Sequence, residues 1–264
     1  MEHLEQLIDT LHLEDLRNEL HPSIFDENET YNMLIVRLPV IGKELQVISL
    51  GFVITPEKSY FYDKEEKRFK LLEERFEGPY GLIDRVTDQM LKSFTRYQDL
   101  IAAMEEKLYT DKASNDFMTE WLGLKRDILR IERVLVRALD TMKEVIDAYE
   151  EAPGFPINSY ADLYEHIDRT MRSAALQLSK LDYLYNFYNI RTNEKMNRLI
   201  YTLTIISAVF LPLNLAVGFF GMNTSGLPFT GGSSGTLNAV LLMGALILMS
   251  SAIFYLWRSK VEKS

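Results

Sequence analysis

Polar and small side chains recur along one face of an apolar stretch near the carboxyl end of the chain. Their 3,4 spacing places them on one side of an α-helix. In a bilayer, polar groups cost energy and are retained where they pack or where they line a path that water can reach. The face therefore suits a helix bundle around a wet axis, and its members are Asn197, Ile200, Thr204, Ser207, Leu211, Asn214, Gly218 and Gly221.

The same pattern also fits a helix that self-associates through small residues, and the spacing alone does not separate the two interpretations. Pro212 lies within the stretch. Because proline has no N–H, the carbonyl of Ala208 loses its partner and needs a neighbouring helix or water. We therefore predict a helix kink at Pro212.

The distribution of charge indicates that this polar face lies on a membrane-spanning helix. Residues 199–257 contain no Asp, Glu, Lys or Arg, and they include two apolar runs, 199–220 and 237–257. A hydrocarbon core of about 30 Å needs about 20 helical residues, so each run can span a bilayer. The segment between the runs is neutral and the outer flanks are basic, which predicts that both termini are cytoplasmic. The flanking residues are Arg191, Lys195, Arg198, Arg258, Lys260 and Lys263.

The part of the chain before the apolar runs is acidic. Residues 1–198 carry 26 basic and 37 acidic side chains, a net charge of −11. This balance disfavours nucleic acid as a partner and would concentrate cations, although an acidic surface also simply keeps a domain soluble. The first ten residues lack the basic and apolar pattern of a secretory signal. The absence of cysteine agrees with a reducing compartment.

Periodicity predicts the order of elements. We expect a short helix over 4–20, strands over 31–38, 45–54 and 59–62, and helical seams from Leu82 onward. One helix from about Ser159 to Phe220 would be about 90 Å long. The predicted segments are a small cytoplasmic α/β domain (1–76), a cytoplasmic helical hairpin (77–156), a stalk helix (157–198), a pore-lining transmembrane helix (199–220), an extracytoplasmic loop (221–236), a second transmembrane helix (237–257) and a basic cytoplasmic tail (258–264).

The triplet Gly221-Met222-Asn223 ends the first of these two C-terminal spans, and in this context it resembles the CorA family of divalent-cation channels and transporters. Pro212 stands nine residues before the triplet, within a family-like Leu-Pro-Leu-Asn stretch. Residues 162–166, Asp-Leu-Tyr-Glu-His, look like the Asp-Val-Tyr-Asp-His stretch that begins the stalk helix in that family. The resemblance covers nearly the whole chain.

This resemblance implies an α+β cytoplasmic domain with long stalk helices and two C-terminal transmembrane helices, assembled as a funnel-shaped homopentamer. Asn223 would form a ring of side-chain amides at the outer mouth, with Gly221 and Met222 completing the selectivity filter. The pore below would be lined by Gly218, Asn214, Leu211, Ser207, Ile200 and Asn197, together with Leu203 by the family pattern or Thr204 by strict spacing. Its apolar members would act as a hydrophobic gate.

The same resemblance indicates the transported ion. Mg²⁺ gives up its water reluctantly and prefers oxygen ligands, so neutral amide oxygens can hold a hydrated ion without trapping it. The outer segment 224–236 has no acidic residue, unlike many CorA members. This departure favours the ZntB-like branch, which is associated with zinc. Co²⁺ and Ni²⁺ remain alternative transported ions. We expect no cofactor other than the transported cation.

A regulatory metal site is a further expectation from the resemblance, since CorA proteins form one between neighbouring subunits in the cytoplasmic domain. Asp162 is the candidate, and its partner acid is not evident from the sequence. The residues 159–162 also match a capping box, so Asp162 could instead cap a helix that starts at Ser159. His3, His12, His21 and His166 are scattered, and we expect surface histidines rather than a closed zinc site.

An enzyme is not expected. Residues 231–235 match the nucleophile-elbow pattern formally, but that motif needs a strand before it and a helix after it in a large sheet. The sequence therefore predicts a divalent-cation transporter of the plasma (inner) membrane, in contact with lipid and not with nucleic acid. The alternative is a membrane-anchored coiled-coil scaffold without transport activity.

Overall fold

The computed structural model of the protein describes residues 7–110, 116–222 and 234–261. The chain divides into two compact units, Met1–Asn186 and Phe187–Ser264. The described helices are α1 (Thr10–Arg17), α2 (Glu77–Tyr109), α3 (Phe117–Tyr149), α4 (Ile157–Phe220) and α5 (Gly235–Val261).

Within the described part of the first unit, five strands form one antiparallel sheet in the order β1-β2-β3-β4-β5. Each strand pairs with its neighbour in sequence. The predicted strands correspond to β2, β3 and β4, whereas β1 and β5 were not predicted. These two are the short edge strands, where charged residues interrupt the apolar pattern that marks a strand in sequence. The strands are Ile24–Glu27, Asn32–Ile41, Leu45–Ile54, Ser59–Asp63 and Arg68–Leu72.

The core of the first unit lies on both faces of β2. Met33 and Ile35 belong to a buried cluster that includes Leu16 of α1. Leu34 and Val36 alternate with them and are also fully buried, and successive side chains of a strand point to opposite faces. Because α2 and α3 contact β2, this second face is covered by the helical hairpin. The sheet is thus a middle layer between α1 and the two long helices.

Of the helix predicted over 4–20, residues 4–6 lie outside the described residues, and within the described part the helix covers Thr10–Arg17. The Asp9 carboxylate caps it by accepting a hydrogen bond of 2.8 Å from the backbone N–H of Leu11, as an N-cap residue does. After Arg17 the backbone of Asn18 is extended. The helix lies close to the sheet at Gly51, where a Cβ would come within 2.7 Å of Leu16 Cδ2. Any larger residue at that position of β3 would therefore force the Leu16 side chain to shift.

The helices α2, α3 and the first part of α4 are joined by packing and by polar contacts. The Tyr160 hydroxyl donates to the carbonyl of Phe76 at 2.9 Å. On α2, Gln98 Nε2 donates to the α4 residue Ser173 at 3.0 Å. The buried seams of the hairpin contain Ile83, Met90, Ile101 and Met104 on α2 and Trp121, Ile128, Ile131, Leu135 and Met142 on α3.

In the second unit, α4 continues without interruption through Pro212 to Phe220. This helix is long and apolar enough to cross a membrane. The described residues of α5 include a shorter apolar stretch, Val240–Met249. The second membrane span therefore stays a prediction from the sequence.

Trp121 connects the hairpin to the stalk, and we expect its removal to destabilise the protein strongly. Its ring is 7% exposed and stacks on Tyr185 with centroids 4.7 Å apart, and its Nε1 donates to the carbonyl of Leu181 at 2.8 Å. Replacing a buried Trp with alanine leaves a cavity and lowers the free energy of unfolding by about 3–5 kcal/mol. Thermal unfolding of Trp121→Ala in detergent, followed by circular dichroism, measures this loss.

Leu122 supplies the matched control, because it is the next residue on α3 and is 56% exposed. Leu122→Ala removes an apolar side chain of the same helix without opening a cavity, so its unfolding transition should stay within about 0.5 kcal/mol of wild type. Equal destabilisation by both substitutions would contradict the role given to Trp121.

Candidate functional site

The polar face predicted on the first apolar run is exposed in the structure of the single chain. All of its eight predicted lining residues are exposed, so the chain itself does not bury them. They are Asn197, Ile200, Leu203, Thr204, Ser207, Leu211, Asn214 and Gly218.

The opposite side of α4 packs against α5. A pocket between the two helices, about 300 Å³ in volume, is lined by residues of both, including Ala216 and Phe219 of α4 and Leu242 and Leu246 of α5. Ala216 is buried. Ser207 precedes it by nine residues, which is about two and a half helical turns and so the other side of the helix. The polar face is thus free for contact with another molecule, a second copy or water.

Some polar groups on this face already have partners within α4. The Thr204 hydroxyl donates to the carbonyl of Ile200 at 2.8 Å, which leaves its oxygen lone pairs available as acceptors. At Gly218 a Cβ would meet no atom within 4 Å, so packing inside the chain does not require a glycine there. The small residue leaves space beside the helix.

The helix ends at the start of the predicted selectivity filter. The backbone N–H of Gly221 donates to the carbonyl of Val217 at 2.8 Å, and a Cβ at Gly221 would lie 3.1 Å from that oxygen. This tight contact favours glycine. Met222 is exposed, whereas Asn223 lies outside the described residues, as does the segment up to 233.

The apolar surface around the polar face is also uncovered. Within α4, an 18-residue window with the composition of a membrane span is 6% buried in the chain. Apolar surface of this extent is unfavourable in water. It must therefore be covered by lipid or by other protein.

A second candidate site lies in the first unit, around the residue proposed from the sequence as a metal ligand. The Asp162 carboxylate is 3.7 Å from Nε2 of His166, one turn later on α4. His166 in turn lies near Asp84 and Asp88 of α2, and one possible ligand atom from each of these three residues lies within 4.8 Å of the others. The structure thus places acids of α2 beside the predicted Asp162 position.

Negative charge is crowded at this cluster. Partial burial raises the pKa of the Asp84 carboxyl group, and the nearby carboxylates of Asp88 and Asp162 raise it further, while His166 opposes the shift. The pKa of the neighbouring Tyr80 hydroxyl is also raised, first by burial and then by Asp84 and Asp162. Both shifts show that an added negative charge is unfavourable here.

Two expectations about this region are corrected by the structure. The alternative capping role of Asp162 is wrong, because α4 already begins at Ile157 and Ser159 is therefore inside its first turn. His166 was expected to be a surface histidine, but its side chain is 24% exposed and contributes to the cluster. Asp84 and Asp88 were not singled out in the sequence, although their i,i+4 spacing on a helix was a usable signal.

A comparison with models of known protein families finds a match over nearly the whole chain. A family model described as "CorA-like Mg2+ transporter protein" matches residues 1–258. This match covers both units, including the polar face of α4 and the acidic cluster.

Three curated relatives show the range of activities reported for similar proteins. The cobalt/magnesium transport protein CorA of Methanocaldococcus jannaschii is 22% identical over 250 residues, which are 87% of this chain and 77% of the relative. The divalent cation transporter CmaX of Pseudomonas aeruginosa is 25% identical over 66% of this chain and 53% of its own length. The zinc transport protein ZntB of Yersinia pestis is 22% identical over 69% of this chain and 57% of its own length. The chain thus spans about half the length of several curated relatives that it matches.

Solved structures agree with the fold. The complete structure of the CorA magnesium transporter from Methanocaldococcus jannaschii superposes with a TM-score of 0.75 at 20% identity, covering 96% of this chain and 84% of that one. The full-length CmaX protein gives a TM-score of 0.72 at 19% identity, with 95% and 82% coverage. These similarities show a shared fold.

Proposed function

The chain belongs to the CorA-like Mg²⁺ transporter family, and on this premise we propose that it carries divalent cations across the plasma (inner) membrane through a homopentameric pore. The first apolar segment of each subunit lines the pore, and a ring of Asn223 side chains selects the ion at the outer mouth. This family consists of membrane transporters, so transport rather than catalysis is the activity to test.

One observation carries the proposal. The polar face of α4 is exposed along its length, on a segment whose apolar surface is also left uncovered by the chain. In lipid, polar groups such as the amide of Asn214 need partners, and Pro212 leaves a backbone carbonyl without its helical partner. If copies of α4 are arranged around a common axis, these polar groups face water along that axis. The remaining apolar surface of each α4 then contacts lipid and α5.

The number of subunits comes from the family resemblance, and a pentamer is the assembly we propose. Native mass spectrometry of the detergent-solubilised protein tests it. A five-chain species supports a central pore, whereas monomers or dimers under all gentle conditions would support the scaffold alternative.

The transported cation follows from the chemistry of the outer mouth. Amide oxygens are neutral hard ligands, which suit Mg²⁺ that keeps part of its water shell. The neutral segment 224–236 does not concentrate cations by charge, and the relatives include both magnesium and zinc transport proteins. We therefore propose a divalent-cation substrate class that includes Mg²⁺, Zn²⁺, Co²⁺ and Ni²⁺.

Flux into liposomes tests the proposed function directly. The purified protein is reconstituted, and uptake of the four cations is measured with and without a pH gradient. We expect divalent uptake above that of protein-free liposomes, and dependence on the pH gradient would indicate proton coupling. If none of the four ions enters, the protein is not a transporter of this class.

Topology gives a separate prediction, because the outer flanks are basic and the segment between the spans is neutral. The sequence contains no cysteine, so single cysteines can be introduced cleanly. Ser234, just before α5, is exposed. In intact cells, an impermeant thiol reagent should label Ser234→Cys but not Ser264→Cys. The reverse labelling pattern would place both termini outside the cytoplasm.

A further inference from the structure

An open pocket between the sheet and the residues that follow α1 gathers positive charge in an otherwise acidic unit. The pocket is about 640 Å³ in volume, and its wall includes Arg37 of β2, Lys64 just after β4 and Arg130 of α3. Residues 1–198 carry a net charge of −11. A group of cations around one concave surface is therefore a local reversal of the charge of this unit, and it attracts anions.

The cations of this pocket lie close enough to repel one another. Burial lowers the pKa of the Arg37 guanidinium, and the positive charge of Arg130 lowers it further. Burial likewise lowers the pKa of the Lys64 ammonium, Glu19 opposes this shift, and Arg37 adds to it. Both shifts show that positive charge is unfavourable at these positions in the chain as it stands. An anion in the pocket would relieve the repulsion.

The acids that line the pocket do not neutralise these cations by direct contact. Asp63 is paired with Lys70, with Nζ 2.6 Å from the carboxylate, and Glu19 and Glu65 are exposed. Among the residues that the structure describes, neither Arg37, Lys64 nor Arg130 forms an ion pair. Their charge is therefore available to a bound ligand.

Two buried polar atoms beside these cations lack a partner within the described part of the chain. They are Nε of Arg37 and the hydroxyl oxygen of Ser49, and both residues line the pocket. Arg37 and Ser49 are direct partners in the β2–β3 ladder, so their side chains lie on the same face of the sheet. A buried polar group without a hydrogen bond is rare and points to a water or an ion. An oxyanion can accept from both donors.

Backbone carbonyls after α1 hold two of the cations in place. Arg37 Nη1 donates to the carbonyl of Leu20 at 3.3 Å, and Lys64 Nζ donates to the carbonyl of Asn18 at 3.2 Å. These contacts orient the side chains without cancelling their charge. A site whose donors are already oriented loses less entropy when a ligand binds.

We propose that this pocket binds the phosphate group of a small organic phosphate. Arg37, Lys64 and Arg130 supply the positive charge, and the Ser49 hydroxyl donates a hydrogen bond. Arginine suits phosphate because its planar fork can donate two parallel hydrogen bonds, whereas lysine contributes a compact point charge. The proposal does not rest on the transport function, because all of these groups belong to the first unit.

The rest of the pocket favours an organic phosphate over the free anion. Leu45, Val47 and Phe61 also line it, and they offer an apolar surface to the organic group of the ligand. Ligand pockets commonly combine an apolar wall with a few polar groups that fix the orientation of the ligand. A bare phosphate ion would use the cations but not this wall.

Calorimetric titration of the full-length protein in detergent tests the site. The probes are AMP and inorganic phosphate, in buffer with about 0.15 M KCl and with EDTA, so that no metal ion carries the phosphate. We expect one AMP per chain and weaker binding of inorganic phosphate. Equal affinities of the two probes would overturn the assignment to an organic phosphate, and absence of saturable AMP binding would overturn the site.

A matched pair of substitutions on α3 separates this pocket from general surface charge. Arg130→Gln removes a cation of the pocket and should weaken AMP binding at least about tenfold, or 1.4 kcal/mol. Arg126 lies one turn earlier, outside the pocket wall, and its side chain is 81% exposed. Arg126→Gln should bind AMP like the wild type. Equal losses in the two variants would contradict a defined site.

Ser49→Ala distinguishes loss of binding from misfolding. Without ligand it should melt at or above the wild-type temperature, because it removes a buried hydroxyl that has no partner. Its AMP affinity should nevertheless fall about threefold or more, since one hydrogen bond to the phosphate is lost. A lower melting temperature without ligand would show that the hydroxyl is already paired in the protein. That result, or wild-type AMP affinity in folded Ser49→Ala and Arg130→Gln, would overturn the proposal.

Discussion

Replacing Asn223 with alanine is expected to reduce divalent-cation flux in liposomes to the level of protein-free vesicles, while the oligomer stays assembled. The change removes a ring of amide oxygens that would stand in for part of the water shell of the ion at the pore entrance. Without these ligands, a strongly hydrated ion meets an uncompensated dehydration barrier. Uptake of Mg²⁺ and Co²⁺ by matched amounts of reconstituted protein gives the measurement.

The control for this variant is Asn238→Ala, because Asn238 is an exposed amide in the first turn of α5. It loses the same chemical group from the second helix, outside the proposed filter, and should transport like the wild type. Native mass spectrometry shows whether each variant still assembles. Normal flux through Asn223→Ala would show that the ring is not the selectivity element, and loss of flux together with the oligomer would assign Asn223 a role in assembly.

Replacing Leu211 with serine is expected to increase ion flux strongly, because Leu211 is proposed to form part of a hydrophobic gate. A ring of leucines repels water from a narrow pore, and a small hydroxyl-bearing side chain both widens and hydrates that level. Lowering the barrier by about 1.4 kcal/mol raises the flux about tenfold. Initial uptake rates at low cation concentration measure the change.

Val217 provides the comparison on the same helix. Leu211 is 72% exposed and Val217 is 56% exposed in the single chain. They are six positions apart, so their side chains point about 120° apart around the helix. Val217→Ser should therefore leave the flux near the wild-type value. Equal increases in both variants would mean that a general weakening of the helix, and not a gate at Leu211, controls the flux.

Much of the architecture could be predicted from local patterns. Continuous apolar runs and 3,4 spacing indicate buried or membrane helices, because their period repeats within a few turns. One helix was predicted from about Ser159 to Phe220, and α4 runs from Ile157 to Phe220. The central strands were similarly evident from dense β-branched and aromatic residues. The edge strands β1 and β5 were missed, since a strand exposed on one side has no long apolar run.

The sequence by itself determined the uncharged segment 199–257 and the single polar face within it, because charge exclusion and helical period depend only on residue order. The tertiary structure alone decided which side of α4 packs on α5, through Ala216 and Leu242. It also brought Asp84 and Asp88 to His166. Those residues are far apart in the chain, and their proximity depends on how α2 and α4 pack, which side-chain spacing within either helix does not specify.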